Sequence, residues 1–315
     1  MPDSLNTPVA VTSVAAAARF KAVTHIYTDL DGTLLAPGGR LLASDDGTPS
    51  TAVCERLVTL KRAGIEVIAV TGRNRAQGTE IIRLLNLKTL IGELGTFTQD
   101  GYGARATSCY DLGDWAKTVL APRLAPGELP PNTTPAQLIE ASGIISRLQT
   151  IFAGRLEAHN PYGDSREVTR MLRGYVSAEE AAEVLAREAL PLQLSDNGII
   201  HPQQHTLINC PEIHVYHLMP RGTGKGRAVA ADMIRRGLSR AQTLAIGDAV
   251  GDVEMGAATG SFILVSNASK TAVLEGAAAL PLPPAWRLEA IFTTERRTAD
   301  GWVEFADAFL AARAG

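Results

Sequence analysis

The sequence predicts an α/β fold: a doubly wound, mostly parallel sheet with a smaller α+β domain inserted into it. Three observations carry that expectation. Short apolar runs alternate with amphipathic helical patterns near both ends of the chain. Several of these runs stop at polar residues, as strands do when their carboxyl ends line one edge of a sheet. From residue 105 to 212 the pattern changes character, with Pro122, Pro126, Pro130, Pro131 and Pro135 close together.

Composition bounds the function. At 315 residues, 45% of them hydrophobic, the chain can bury one large core or two moderate ones. A net charge of -3, with Lys and Arg spread along the chain, offers no basic block for nucleic acid. No apolar run approaches the roughly 20 residues of a membrane span. Cys54, Cys109 and Cys210 are far apart and odd in number, which argues against a disulfide framework or a zinc site and for a reducing compartment. Val9 to Ala18 is apolar, but Asp3 precedes it rather than Lys or Arg. Residues 1–20 therefore read as a flexible or loosely docked leader, and the protein as cytoplasmic. Oligomeric state is not legible in the pattern.

Val23 to Tyr27 reads as a buried strand that runs into Asp29, Asp31 and Gly32. Alternate residues of an extended chain point the same way, so the two carboxylates can project together. An Asp-rich turn is the other reading of these residues, and both stand open at this point. Residues 36–50, rich in Gly, Pro, Ser and Asp, form a loop long enough to move over a site. Ser50 can cap a helix with Val53, Leu57 and Leu60 on its apolar stripe and Gly64 at its end. Ile65 to Val70 is a second strand, stopping at Thr71, Gly72, Arg73 and Asn74, and a helix with Ile81 and Ile82 inward follows it. Thr89 to Ile91 starts a third strand, and Gln99-Asp100-Gly101 signals a hairpin.

The insert is expected over 105–212, between core segments 21–104 and 213–315. Within it Val168 to Val176 looks extended. Ser177 and Glu180 form a capping-box pattern before a helix over 178–190, and Gln193 to His201 reads as a strand. Ile213 to Met219 is a further strand at the border. The doubly wound pattern resumes where Gly224-Lys225-Gly226 opens a helix. The strand Thr243 to Ile246 then ends in Gly247-Asp248-Ala249-Val250-Gly251-Asp252, and Phe262 to Val265 ends near Asn267. A helix over 302–313 closes the chain.

Asp29, Asp31, Thr71, Asp248, Asp252 and Asn267 thus fall at strand ends that can share an edge, with Lys225 at a helix start. Two like charges roughly 4 Å apart cost about 4 kcal/mol at an effective dielectric near 20. Four carboxylates in one cleft therefore need protonation or a cation. Oxygen ligands favour a hard ion such as Mg2+, and no His or Cys stands at these strand ends to suggest zinc. A metal with a Lys and a Thr points to a phosphoryl group. Asp29 could attack phosphorus, Asp31 could protonate the leaving alcohol and then activate water, and Lys225 and Thr71 could hold the phosphate oxygens.

Each assignment has a structural alternative. Thr71 can be a plain N-cap, Asp252 a carboxylate favoured by a helix dipole, Asn267 a loop residue, and Arg73 the partner of a core carboxylate. The run around Lys225 matches a nucleotide P-loop only in part, because position 219 is Met and position 226 is Gly. His201, His205, His214 and His217 gather without a zinc spacing. In the insert, Arg170, Arg173 and His205 are the candidates for sugar or carboxylate recognition, with a solvated surface position as the alternative.

The stretches Asp29-Leu30-Asp31-Gly32-Thr33, Val70-Thr71-Gly72-Arg73, Gly224-Lys225-Gly226 and Gly247-Asp248 through Asp252 resemble, in order, the four motifs of the haloacid dehalogenase superfamily. The first has the form specific to its phosphatase and phosphotransferase members. The long separation of Thr71 from Lys225 resembles members with a C2-type cap, and the layout is similar to the C2B group: Cof-type sugar phosphatases, sucrose-phosphate phosphatase and mannosyl-3-phosphoglycerate phosphatase. The resemblance implies a Mg2+-dependent phosphomonoesterase acting on a small phosphorylated metabolite, a sugar phosphate, with neither nucleic acid nor membrane as partner. It implies Asp29 as nucleophile and Mg2+ ligand, and Asp31 as general acid/base whose main-chain carbonyl also ligates. Thr71, Gly72 and Lys225 would bind phosphate, Asp248 would be the third metal ligand, and Asp252 an outer carboxylate. The sequence departs from the C2B pattern Gly-Asp-Gly-x-Asn-Asp at Ala249 and Gly251. A phosphomutase on the same scaffold, and a phospho-acceptor or phosphate-binding protein without turnover, are the alternatives.

Overall fold

The computed structural model describes residues 8–115, 134–163, 165–188, 190–267, 270–278, 283 and 286–314. Most of the Pro-rich stretch from Pro122 to Pro135 lies outside them. The chain divides into two compact units, one of residues 1–71, 78–108 and 224–315, the other of residues 72–77 and 109–223.

Among the described residues the strands are, in chain order, β1 (Val9–Ala10), β2 (His25–Thr28), β3 (Glu66–Val70), β4 (Thr89–Gly92), β5 (Phe97–Asp100), β6 (Thr107–Tyr110), β7 (Leu156–Ala158), β8 (Arg170–Gly174), β9 (Leu192–Ile200), β10 (Ile213–Pro220), β11 (Thr243–Gly247), β12 (Ser261–Leu264) and β13 (Ala290–Thr293). Nine of them form one sheet in the order β1-β13-β12-β11-β2-β3-β4-β5-β6. Every pair from β1 across to β4 is parallel, and β5 turns back antiparallel on β4. From β2 the chain runs outward through β3 and β4, and later outward the other way from β11 through β12 to β13. The reversal point therefore lies between β2 and β11, where open α/β sheets place their ligands.

The central strands are mainly apolar because both faces are covered. Ile26, Val67, Ala69, Ile246 and Ile263 face one apolar layer with Trp302, Phe305 and Phe309 of helix Thr298–Ala314. The alternate residues Tyr27, Ile68, Val70, Ala245, Phe262 and Leu264 face the other, with Val229 of helix Lys225–Arg236 and Val253 of helix Val250–Thr259.

Residues 9–20 correct the expectation of a loose leader. β1 pairs in parallel with β13, and the helix Val14–Phe20 buries Phe20 completely. Its ring lies 5.8, 5.7 and 5.4 Å from those of Phe292, Phe305 and Phe309. The helix buries only Ala16 and Phe20, an i, i+4 pair. A run of alanines gives no polar contrast by which that face could be recognised. The last helix begins at Thr298 rather than near 302.

In the second unit β7, β8, β10 and β9 form an antiparallel sheet in that order. β10 belongs here and not to the core side of the expected border at 213. Its Tyr216 and Leu218 pack with Leu172, Leu194, Leu148 and Trp115. The helix Ala178–Arg187 starts at the anticipated capping box, where Ser177 Oγ accepts from the Glu180 N–H.

Candidate active site

The sheet register brings the predicted strand ends together. Thr28 lies beside Ala69 on one side and Ile246 on the other, and Gly247 lies beside Leu264. Asp29, Thr71 and Asp248 leave neighbouring strands at one edge, and Asn267 follows the end of β12. The Asp29 N–H donates to Ile246 O at 3.0 Å and the Thr71 N–H to Ile91 O at 2.9 Å, so both positions continue the sheet. Gly32 has φ +82° and stands so close to Asp248 that a Cβ would meet Asp248 Oδ2 at 2.5 Å. Glycine is required there by conformation and by space.

Lys225 is the hub. Its Nζ donates to Asp29 Oδ1 and to Asp252 Oδ1, each at 2.6 Å, and all three side chains are buried. It opens its helix next to helix Val250–Thr259, approached so closely at Gly226 that a Cβ would meet Glu254 backbone carbon at 2.6 Å. A Cβ on Gly224 would lie 2.9 Å from Glu254 Oε2. The carboxylate thus stands at the helix N-terminus that Gly224, lacking a side chain, leaves uncapped.

Both oxygens of Asp252 are engaged. Oδ1 faces Lys225, and Oδ2 accepts from the N–H groups of Asp248 and Ala249 at 3.1 and 3.0 Å. Asp248 is held by two side chains that donate to it: Thr33 Oγ1 to Oδ1 at 3.2 Å and Asn267 Nδ2 to Oδ2 at 2.7 Å. One carboxylate oxygen from each of Asp29, Asp248 and Asp252 lies within 4.8 Å of the other two. Asp31 is exposed beside this cluster in sequence.

The charges are strongly coupled. Burial raises the Asp29 carboxyl well above the ordinary aspartate value; Lys225 opposes this, and the Asp252 and Asp248 charges add to it. Burial, reinforced by Asp252, pushes Asp248 up to about 6 against the pull of Lys225, Thr33 and Asn267. For Lys225 burial favours loss of the proton, but Asp252 and Asp29 outweigh it and hold the ammonium above the usual lysine value. Three carboxylates against one ammonium leave two negative charges in excess within the cluster. An all-oxygen donor set with that excess fits a hard divalent cation. Asp29 and Asp248, which leave neighbouring strand ends, are the side chains that would hold it, with Asp252 turned to Lys225 and to the Asp248 and Ala249 N–H groups.

The other predicted residues are placed as follows. Thr71 is buried, and its carbonyl accepts from the Leu94 N–H at 3.0 Å. In the second unit, Gly72 O accepts from Arg166 Nη2 at 3.0 Å, and Arg73 is half-buried. Arg170 is paired with Glu140 at 2.8 Å and Arg173 with Glu157 at 2.6 Å, while His205 is exposed. Both guanidinium groups are thus committed to carboxylates of their own unit. Thr33 and Glu254 escaped the sequence reading. Thr33 lay inside a motif and could have been found there; Glu254 carries no local signal.

This fold and this clustering of acids around a lysine define a class. Residues 26–109 and 181–277, more than half of the chain, match the family of haloacid dehalogenase-like hydrolases. The chain belongs to that family. A phosphoglycolate phosphatase of Methanoculleus marisnigri is 24% identical over 247 residues, covering 77% of this chain and 84% of the relative. Among solved structures, a Thermoplasma acidophilum protein superposes with a TM-score of 0.57 at 16% identity, covering 91% of this chain and 98% of its own. A sucrose-phosphatase from Synechocystis, in complex with sucrose and phosphate, superposes with a TM-score of 0.56 at 14% identity, covering 92% and 98%. The expectation of a haloacid dehalogenase-type enzyme, a phosphatase, agrees with the family and with the two named relatives.

Proposed function

We propose that this chain is a Mg2+-dependent phosphomonoesterase that hydrolyses a small phosphorylated metabolite, a sugar phosphate, through an aspartyl-phosphate. The observation that carries the reading is the bridge from Lys225 to both Asp29 and Asp252, beside an Asp248 held by Thr33 and Asn267. A general anion site would not gather three carboxylates, two of them buried; a site that must hold a cation and an anion together does. Bound Mg2+ would supply two positive charges, screening the Asp29 carboxylate from the phosphate it attacks.

The chain's own residues then divide the work. Lys225 engages Asp29 Oδ1, which leaves Oδ2 to attack phosphorus. As that P–O bond forms, the bond to the leaving oxygen breaks and Asp31 gives that oxygen its proton. Asp31, now a carboxylate, takes a proton from water. The water oxygen attacks phosphorus, the bond to Asp29 breaks, and inorganic phosphate leaves with Asp29 restored. Thr71, Gly72 and Lys225 hold the phosphate oxygens, and Asp252 keeps the ammonium aimed at the site.

The test is phosphate release from a panel that includes sugar phosphates and phosphoglycolate, with Mg2+ and with EDTA. Activity that needs Mg2+ and vanishes in Asp29→Asn supports the reading. Retained Mg2+-dependent release in Asp29→Asn removes Asp29 as nucleophile, and isomerised sugar phosphate without release would make the enzyme a mutase.

A further inference from the structure

Asp248 is held in place through residues far from it in sequence, and one of them is strained. Asn267 donates from Nδ2 to Asp248 Oδ2 at 2.7 Å and accepts at Oδ1 from the Thr298 N–H at 3.2 Å. The amide is therefore oriented from both ends: with Oδ1 taken by a main-chain N–H, the NH2 group faces the carboxylate. Thr298 in turn donates its hydroxyl to Asp45 Oδ1 at 2.9 Å. Asp45 belongs to the loop over 36–50, donates its own N–H to Asp300 Oδ2 at 3.2 Å, and has Arg297 3.8 Å from its carboxylate.

Thr298 is buried and has φ +44°, a left-handed conformation that β-branched residues avoid. Such strain persists where the surroundings over-determine it, and it gathers near functional groups. The turn before it is packed so closely that a Cβ on Gly301 would meet Arg296 O at 2.4 Å and Val265 Cγ1 at 2.8 Å. This ties the turn to the end of β12 and aims the Thr298 N–H at Asn267. A glycine would adopt the same backbone more easily but would leave Asp45 without the hydroxyl.

We propose that Asp45, Thr298 and Asn267 form a positioning relay that fixes the Asp248 carboxylate for its cation, so that the 36–50 loop helps to set metal affinity. The inference rests on the reading of Asp248 as a Mg2+ ligand. Asn267 touches that ligand; Thr298 and Asp45 act through Asn267.

The experiment is titration calorimetry of Mg2+ into the full chain without substrate, with the melting temperature of each variant beside it. Asn267→Ala should weaken Mg2+ roughly 10- to 100-fold, the range for partners that orient a metal ligand. Thr298→Ala and Asp45→Ala should weaken it by on the order of tenfold, and Thr298→Ser, which keeps the hydroxyl, should stay within about threefold. In Thr298→Ala and Asp45→Ala half-maximal activity should need correspondingly more Mg2+, with kcat at saturating Mg2+ little changed. Should Thr298→Ala not fold, Asp45→Ala on its half-buried loop reads the same link. Wild-type Mg2+ affinity in Asp45→Ala and Thr298→Ala, even with a lowered melting temperature, would overturn the relay and leave both residues structural. A wild-type chain that binds no Mg2+ would overturn the metal reading itself, and the relay with it.

Discussion

Lys225→Met keeps the aliphatic stem of the side chain and removes its charge. The ammonium lies 2.6 Å from Asp29 Oδ1 and from Asp252 Oδ1, with the lysine 8% exposed and the two acids 7% and 1%. Removing one partner from a buried ion pair costs about 3–5 kcal/mol, because the remaining charge has neither water nor a counter-ion. At about 2–4 °C per kcal/mol for a chain of this order of size, the melting temperature in EDTA should fall by roughly 6–20 °C. The pH dependence has a definite sign. Burial already raises Asp29 above its ordinary value of 3.8, and loss of Lys225, which opposes that shift, raises it further. Between the unfolded and folded values the folded chain binds more protons than the unfolded one, so stability falls as pH rises through that window. The deficit of the variant should therefore be smaller at acid than at alkaline pH. Phosphate release should drop by at least about 10²–10³-fold, since an electrostatic contact to the reacting group is lost. Scanning calorimetry at both pH values, with a phosphate-release assay, checks this. An equal deficit at both pH values, or wild-type kcat/KM, would refute the placement of Lys225 between the two carboxylates.

Three further outcomes follow from the same structure. Asp29→Asn should lower kcat by at least about 10⁴-fold while its melting temperature in EDTA at about pH 8 stays level or rises, because a buried carboxylate held above its usual value is replaced by a neutral group; a large thermal loss would contradict this. Without a cation, Asp248 at about 6 makes the folded chain lose stability as pH climbs from its unfolded value of 3.8 through 6. The thermal gain on adding Mg2+ should accordingly be larger at about pH 7.5 than at about pH 5, and equal gains in a thermal-shift series would count against a carboxylate metal site. Phe20→Ala should cost about 3–5 kcal/mol in urea unfolding, as for other fully buried aromatic side chains; an unchanged midpoint would mean that residues 9–20 do not dock as described.

The core was legible because its signals are local and its strands buried on both faces. Val23 to Tyr27 and Ile65 to Val70 announce themselves as strands, and the parallel register then forces Asp29, Thr71 and Asp248 to one edge. Elements with weak local contrast were missed. The helix Val14–Phe20 is nearly all alanine between its ends, and β13 is only Ala290–Thr293. Thr298 and Asp45 could not be found in sequence, since their importance lies in contacts across some 250 positions and in a backbone angle. Arg170 and Arg173 looked available for a ligand, and only the fold shows Glu140 and Glu157 beside them.

The departure at Ala249 and Gly251 bears on where the constraint on the acidic pair resides. Asp252 is positioned by the main-chain N–H groups of Asp248 and Ala249 and by Lys225, none of which depends on the side chains at 249 or 251. A Cβ on Gly251 would meet no atom within 4 Å, whereas one on Gly247 would meet Asp252 Cβ at 2.4 Å. Position 251 is thus open, and position 247 is closed by the carboxylate it helps to seat. Asp248 takes its orientation from Thr33 after β2 and from Asn267 after β12. The geometry of the proposed metal site is consequently shared among three strand ends and the turn at Thr298. Changes inside the Gly247 to Asp252 stretch that spare its main chain and its two acids leave that geometry standing.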